Sequence, residues 1–237
     1  VLCTRENHKL VKIYSFQDQG IDFSKSISYS SIEKFPYQIF PFTINQIDIK
    51  IIEEINSKTD KSFGDFLNII RGFECGFNHP AIGDDGTDFI IRGENVKPYK
   101  IINPTTKVTP DFKDSKIFKT KEIFKNKPKL VTKFVSNTID FALDDYGYYN
   151  TNTIYNIHLK NLNHDIYSFL ALANSKLINY WFFHTYVNDD SVFPHIQKNQ
   201  LDSIPVSSVI LESHTSLFGK MLSFSNDKGI NLTNDAY

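Results

Sequence analysis

Cysteine is scarce: Cys3 and Cys75 are the only two in 237 residues. Two thiols cannot build a disulfide framework, and neither lies in a C-x-x-C pair. The expectation is a reduced, cytoplasmic setting and no cysteine-based zinc site. Long apolar runs are missing too. No stretch of about 18 apolar residues exists, so no membrane span is expected. The opening VLCTRENHKL lacks the charged head, apolar middle and small-residue cleavage site of a secretory signal. It reads as a chain cut from something longer, beginning in mid-strand. There is no internal repeat, and strands and helices do not alternate regularly, which argues against a doubly wound sheet.

What is present suffices for one substantial core: 41% hydrophobic and 22% charged residues describe an ordinary globular chain. The net charge of −1 argues against a nucleic-acid binder, but its distribution argues for one. Between Arg92 and Lys133 stand twelve basic residues against four acidic ones, a local charge of +8 that leaves about −9 for the remainder. Such asymmetry favours phosphate contact. The alternative is a lysine-rich solvated surface.

Residues 9–35 alternate apolar and polar positions, which predicts short strands or a clamp-like extension. FPYQIFPF (35–42) reads as a linker. Thr43 and Gln46 suggest a T-x-x-Q capping box ahead of Ile47, Ile51 and Ile55, three residues on one face of a helix ending near Ser57. FLNII and DFIIR read as strands around a loop containing Gly72, Gly76, Gly83 and Gly86. Residues 111–126 are Lys-rich with interleaved Phe, a short helix or loop. KLVTKFVS (129–136) has strand character, and 140–160 reads as a hairpin turning near Asp145–Gly147, then a further strand. A helix from about Ile166 to His184, apolar around most of its circumference, is expected at the centre of the domain. Another helix is expected within 207–224. The expected class is α+β: a mixed β-sheet with packed helices and one central buried helix. The division is 1–42 as an N-terminal extension or linker, 43–210 as the main domain, and 211–237 as a C-terminal helix and tail.

Catalytic signatures are few. Asp111, Asp114 and Lys116 superficially resemble the carboxylates and lysine of a magnesium-dependent nuclease. Only two residues separate the carboxylates, however, too few for the usual hairpin. The pairs Asp84–Asp85, Asp144–Asp145 and Asp189–Asp190 adjoin Gly, Asn or Ser, the setting of turns rather than of metal sites. His184 and His195 flank a loop without a Ser/His/Asp signature, and His184 is read as ending the buried helix. No catalytic and no metal-ligating residue is assigned. Tyr146, Tyr148 and Tyr149 in a turn fit either a binding surface or packing on the hairpin.

Several phrases, in order, resemble one family. They are GFECGFN (72–78), IIRGENVKPY (90–99), KPKLVTKFVSN (127–137), LALANSKLINYWF (170–182) and FPHIQKNQLDSIPV (193–206). Together they resemble the TaqI-like C-terminal specificity domain, the target-recognition part of adenine-N6 DNA methyltransferases and fused restriction-modification enzymes. The likeness covers roughly residues 63–206. Ile70–Asn78 resembles the opening segment, and Arg92, Gly93, Asn95, Val96 and Tyr99 the R-G-x-[DN]-[IV]-x-x-Y element. Lys127–Lys133 resembles the KPK strand, Asn174–Lys176 the N-S-K helix and Ile204–Pro205 the closing I-P. The insert between Tyr99 and Lys127 is shorter than in many such proteins, which puts one recognition loop in doubt.

The resemblance implies double-stranded DNA as partner, with a catalytic methyltransferase domain of the same polypeptide flipping and methylating the adenine. S-adenosylmethionine is expected for that parent enzyme and no cofactor for this chain, which lacks an N/D-P-P-Y/F loop and a glycine-rich cofactor turn. Arg92, Lys97, Lys129 and Lys133 are expected to meet phosphates. Arg71, Asn78, Tyr148, Asn150 and Asn152 are expected to meet base edges. Two other functions compete: a protein–protein interaction domain of a phage-defence complex, and the metal-dependent nuclease.

Overall fold

The computed structural model describes residues 2–6, 9–17, 20–36, 40, 44–110, 121–136, 138–186 and 195–208. Strands β1 (Leu2–Glu6), β2 (Leu10–Gln17) and β3 (Gly20–Ser28) form an antiparallel meander. The alternation read in 9–35 thus makes two long strands. One face buries Val11, Ile13 and Ile27 in the main core, while Ile21 and Phe23 remain exposed. A single turn, α1 (Tyr29–Ile32), follows, capped by the Ser28 hydroxyl accepting from Ser31 N at 3.0 Å.

The next helix, α2 (Gln46–Ser57), ends where the sequence suggests but starts differently. Its cap is Asn45, whose Oδ1 accepts from Ile47 N and Asp48 N at 2.8 and 2.9 Å; Thr43 lies outside the described residues. The buried positions are Ile49 and Ile52, not the expected stripe, for Ile47 is 70% exposed and Ile51 is exposed as well. The helix carries two isoleucine stripes, and packing selects the one that places Asn56 against Trp181, whose Nε1 donates to Asn56 Oδ1 at 2.8 Å.

Then follow β4 (Lys61–Ser62), α3 (Phe63–Phe66), β5 (Leu67–Arg71), β6 (Asp88–Ile91), β7 (Val96–Lys97), β8 (Lys100–Ile101) and β9 (Lys107–Val108). A short α4 (Glu122–Lys125), β10 (Lys129–Lys133), β11 (Phe141–Asp144), β12 (Tyr149–Asn150) and β13 (Ile154–Leu159) complete the central region. The principal sheet has the order β11-β10-β13-β5, antiparallel throughout. Its strands β10 and β11 are buried on both faces, whereas β5 exposes Asn68. Leu130, Phe141, Leu143 and Ile157 point to the main core, whereas Val131, Ala142 and Ile154 meet Ile91 and Val96 on the other side. The expected hairpin over 140–160 does not form. After the turn at 145–148 the chain leaves for a second sheet, β12-β6-β9, where β12 runs parallel to β6. Phe73, Phe124 and Tyr149 make that sheet's own aromatic cluster, with centroids 4.5–5.6 Å apart.

Between β7 and β8 the chain turns at Pro98–Tyr99, and Tyr99 adopts φ 71°, a left-handed geometry rare outside glycine. The strain has a visible counterpart. Tyr99 N donates to Phe141 O at 2.7 Å and Tyr99 O accepts from Leu143 N at 3.2 Å, so the hairpin clamps the outer edge of β11.

The single long helix expected over 166–184 is instead two, α5 (Ile166–Ala173) and α6 (Lys176–Tyr186). Asn174 accounts for the break. Its Oδ1 accepts from Phe141 N at 3.0 Å and its Nδ2 donates to Phe141 O at 2.9 Å, so one amide serves the edge of β11 as a strand residue does. Helix α5 buries Ile166, Phe169, Leu170 and Ala173 over the principal sheet. Closing the fold, α7 (Lys198–Asp202) leads to β14 (Pro205–Val206), which pairs with β4. The class is α+β. Residues 209–237, including the expected C-terminal helix, lie outside the described residues.

Candidate nucleic-acid interface

Strand register gathers part of the expected site at one end of the two sheets. Arg71 ends β5 opposite Tyr155, Lys133 ends β10 opposite Ile154, and Arg92 follows β6 where Ile91 pairs with Asn150. The loop carrying Asn152 closes the same end, since Phe73 pairs with Thr151 and Asn152 N donates to Phe73 O at 2.6 Å. Gly72 makes the closeness possible: a Cβ there would lie 2.2 Å from Asn150 Oδ1 and 2.3 Å from Asn150 O.

Both arginines are held flat. Arg71 lies with its guanidinium 4.2 Å above the Phe134 ring and donates from Nε to Asn152 O at 2.8 Å. Arg92 lies 4.2 Å above the Phe77 ring, and its buried Nε meets no acceptor among the described residues. Stacking on an aromatic face fixes the plane of a guanidinium, and bidentate recognition of an oxygen pair needs that. Asn78, exposed, is the residue after Phe77. Lys133 is half-buried beside Gly93 and ion-paired with Asp140 at 2.6 Å, so part of its charge is already balanced. Asn152 is half-buried and donates from Nδ2 to Glu74 Oε2 at 3.1 Å. Lys97 is exposed on the β7–β8 hairpin.

Two expected contacts turn inward instead. Lys129 is 0% exposed and pairs with Asp144, also 0% exposed, which leaves its ammonium no surface with which to meet a phosphate. Burial pushes the Lys129 ammonium below the usual lysine range, opposed by the Asp144 carboxylate. Asn150 is likewise 0% exposed, its amide locked in a reciprocal pair with Asn156 at 2.8 Å in both directions. Both residues sit on strands covered from both sides, where strand character in the sequence outweighs polarity. The cationic strip is therefore divided. Arg92 and Lys133 stand at one end, whereas Lys125 is at the other, where it pairs with Asp88 at 2.8 Å and lies 4.5 Å above the Tyr149 ring. Lys113, Lys116 and Lys119 lie outside the described residues, as do Asp111 and Asp114.

Tyr148 stands at that second end, stacked on Tyr146 at 5.5 Å. His195 stacks on Phe134 at 4.8 Å, and His184 lies 4.2 Å from Tyr180. Among the described residues no three metal-capable side chains come together, and no helix is long and apolar enough to cross a membrane. Sequence reasoning missed Phe77 and Phe134 as supports for the arginines, because nothing in a strand pattern says which aromatic a distant arginine meets. It placed Asp144 in a turn without seeing that the carboxylate organises it.

The S subunit of a type I restriction-modification system from M. genitalium is similar in structure, with 13% identity and a TM-score of 0.46 over 71% of this chain and 38% of that one. The HsdS subunit from Thermoanaerobacter tengcongensis is similar at 8% identity and a TM-score of 0.44, over 76% of this chain and 43% of that one. The chain spans less than half the length of either. No curated protein matches it. Residues 88–206, half of the chain, match the TaqI-like C-terminal specificity domain, from β6 through the principal sheet and α5–α7 to β14, and the chain belongs to that family.

Proposed function

We propose that the chain is a duplex-DNA recognition module of a restriction-modification enzyme, positioning a target adenine for a methyltransferase domain of the same polypeptide in the cytoplasm. The observation that carries this reading is the assembly of Arg71, Arg92 and Lys133 at one end of the sheets, beside the loops that hold Asn78 and Asn152. Family membership over 88–206 supports it. In this reading Arg92 and Lys133 meet phosphates and set register, while Arg71 and the loop amides meet base edges. S-adenosylmethionine belongs to the other domain.

The test is equilibrium binding of the chain to a randomised duplex library at several salt concentrations. The expected result is enrichment of one short sequence and a log-affinity that falls linearly with log salt. Binding with no preference among duplexes, or no binding, overturns the reading. Magnesium-dependent cleavage that is lost in Lys116→Ala would put the nuclease in its place.

A further inference from the structure

The end of the sheets opposite the arginines carries a second constellation. Asp144 ends β11, and its carboxylate takes three backbone donors of the following turn: Oδ1 accepts from Tyr146 N at 3.1 Å and Gly147 N at 2.7 Å, and Oδ2 from Tyr148 N at 3.0 Å. Lys129 locks the same carboxylate from β10. Gly147, at φ 81°, lets the turn fold tightly against Phe124 and Lys125. A turn with three successive amides tied to one carboxylate has little freedom left to lose on binding.

What the turn holds is a ladder of rings. Tyr148 packs against the cluster of Ile91, Val96, Val131, Ala142 and Ile154. Tyr146 stacks on Tyr148 with an interplanar angle of 26°, and Tyr146 is 70% exposed. The stack thus begins in the core and ends on a ring open to solvent. Lys127, exposed two residues before Lys129, stands at the same end of β10.

We propose that Tyr146 is a stacking platform for an unpaired nucleobase, a second nucleic-acid site distinct from the arginine end; the proposal rests on the DNA-recognition reading. A flat ring face cannot read a base edge in a groove, and inside an intact duplex both faces of each base are already covered. A preformed aromatic stack at the same end of the sheet as an exposed lysine instead fits a base that has left its pair, with the ammonium available to the strand's phosphates. Such a platform accepts any base, because every base has a π face, so it adds affinity without adding sequence preference.

The experiment uses two duplexes carrying the preferred sequence, with 2-aminopurine either paired with thymine or placed opposite an abasic site. The chain is expected to bind the unpaired form roughly tenfold more tightly and to quench its fluorescence. Tyr146→Ala should abolish both effects while leaving affinity for the paired duplex unchanged, and Tyr146→Phe should retain both. Equal binding of the two duplexes without quenching, or quenching that survives Tyr146→Ala, overturns the proposal and leaves the recognition reading intact. Failure to bind either duplex overturns the recognition reading, and this inference with it.

Discussion

Lys129 and Asp144 face each other across the first pair of β10 and β11, and neither side chain reaches solvent. Two charges taken out of water are costly, and here the cost is offset by their mutual attraction, by three backbone donors on Asp144 and by the Tyr148 carbonyl near Lys129 Nζ. The pair joins the second strand of the principal sheet to the turn that starts the second sheet.

Removing one partner should therefore be far worse than replacing both. Asp144→Ala leaves a buried ammonium and three orphaned N–H groups, and is expected to destabilise the fold by about 3–5 kcal/mol. Lys129→Met combined with Asp144→Leu restores apolar packing and should recover part of that loss, the turn donors remaining unmet. Urea unfolding of the three proteins measures the difference.

Gly72 is needed for space rather than for its backbone angles. An added methyl would fall within 2.6 Å of Asn150 O and Thr151 O, main-chain atoms that cannot rotate away. Gly72→Ala is expected to cost on the order of 3 kcal/mol and to displace the loop that holds Asn152. Denaturant unfolding and amide exchange of residues 150–153 report the two effects.

His158 makes stability depend on pH. Burial holds its imidazole below the usual value of 6.5, helped by Lys129 and opposed by the Ile123 carbonyl and by Asp144. In the window between the lowered folded value and 6.5, the unfolded chain binds more protons than the folded one. Stability should then fall as pH drops below 6.5 and lie flat above it as far as this group is concerned. His158→Gln is expected to remove that component, read as the difference between the two unfolding curves from pH 5 to 7.5.

Arg92 should act on DNA through its charge and its fixed plane. Arg92→Ala is expected to lower the slope of log affinity against log salt by about one. Arg92→Lys should keep the slope and still weaken binding, because an ammonium cannot offer the bidentate fork. Titration at several salt concentrations separates the two.

Trp181 is the chain's only tryptophan and is wholly buried where α6 packs on α2, so its emission reports that junction alone. Asn56→Ala removes its acceptor and is expected to cost about 1–2 kcal/mol, with the emission midpoint shifting to lower denaturant.

Much of this architecture was legible from residue order. Strand character at Lys129–Lys133, the close of α2 at Ser57, the turn at Asp145–Gly147 and the family phrases all depend on neighbours within a few positions, where propensity and periodicity operate. Which isoleucine stripe of α2 goes inside was not legible, because both stripes satisfy helical spacing and only the partner helix α6 chooses between them. Nor was the break at Asn174, since a single side chain makes it by reaching a strand 33 residues earlier in sequence. The site divides in the same way. Sequence alone showed a basic segment from Arg92 to Lys133, polar groups in or beside loops, and ordered phrases that resemble specificity domains. Tertiary structure alone decided that Arg71 and Arg92 each lie on an aromatic support at the same end of the sheets while Lys129 and Asn150 face inward, because a side chain's surroundings are set by long-range register and burial, which no local pattern encodes.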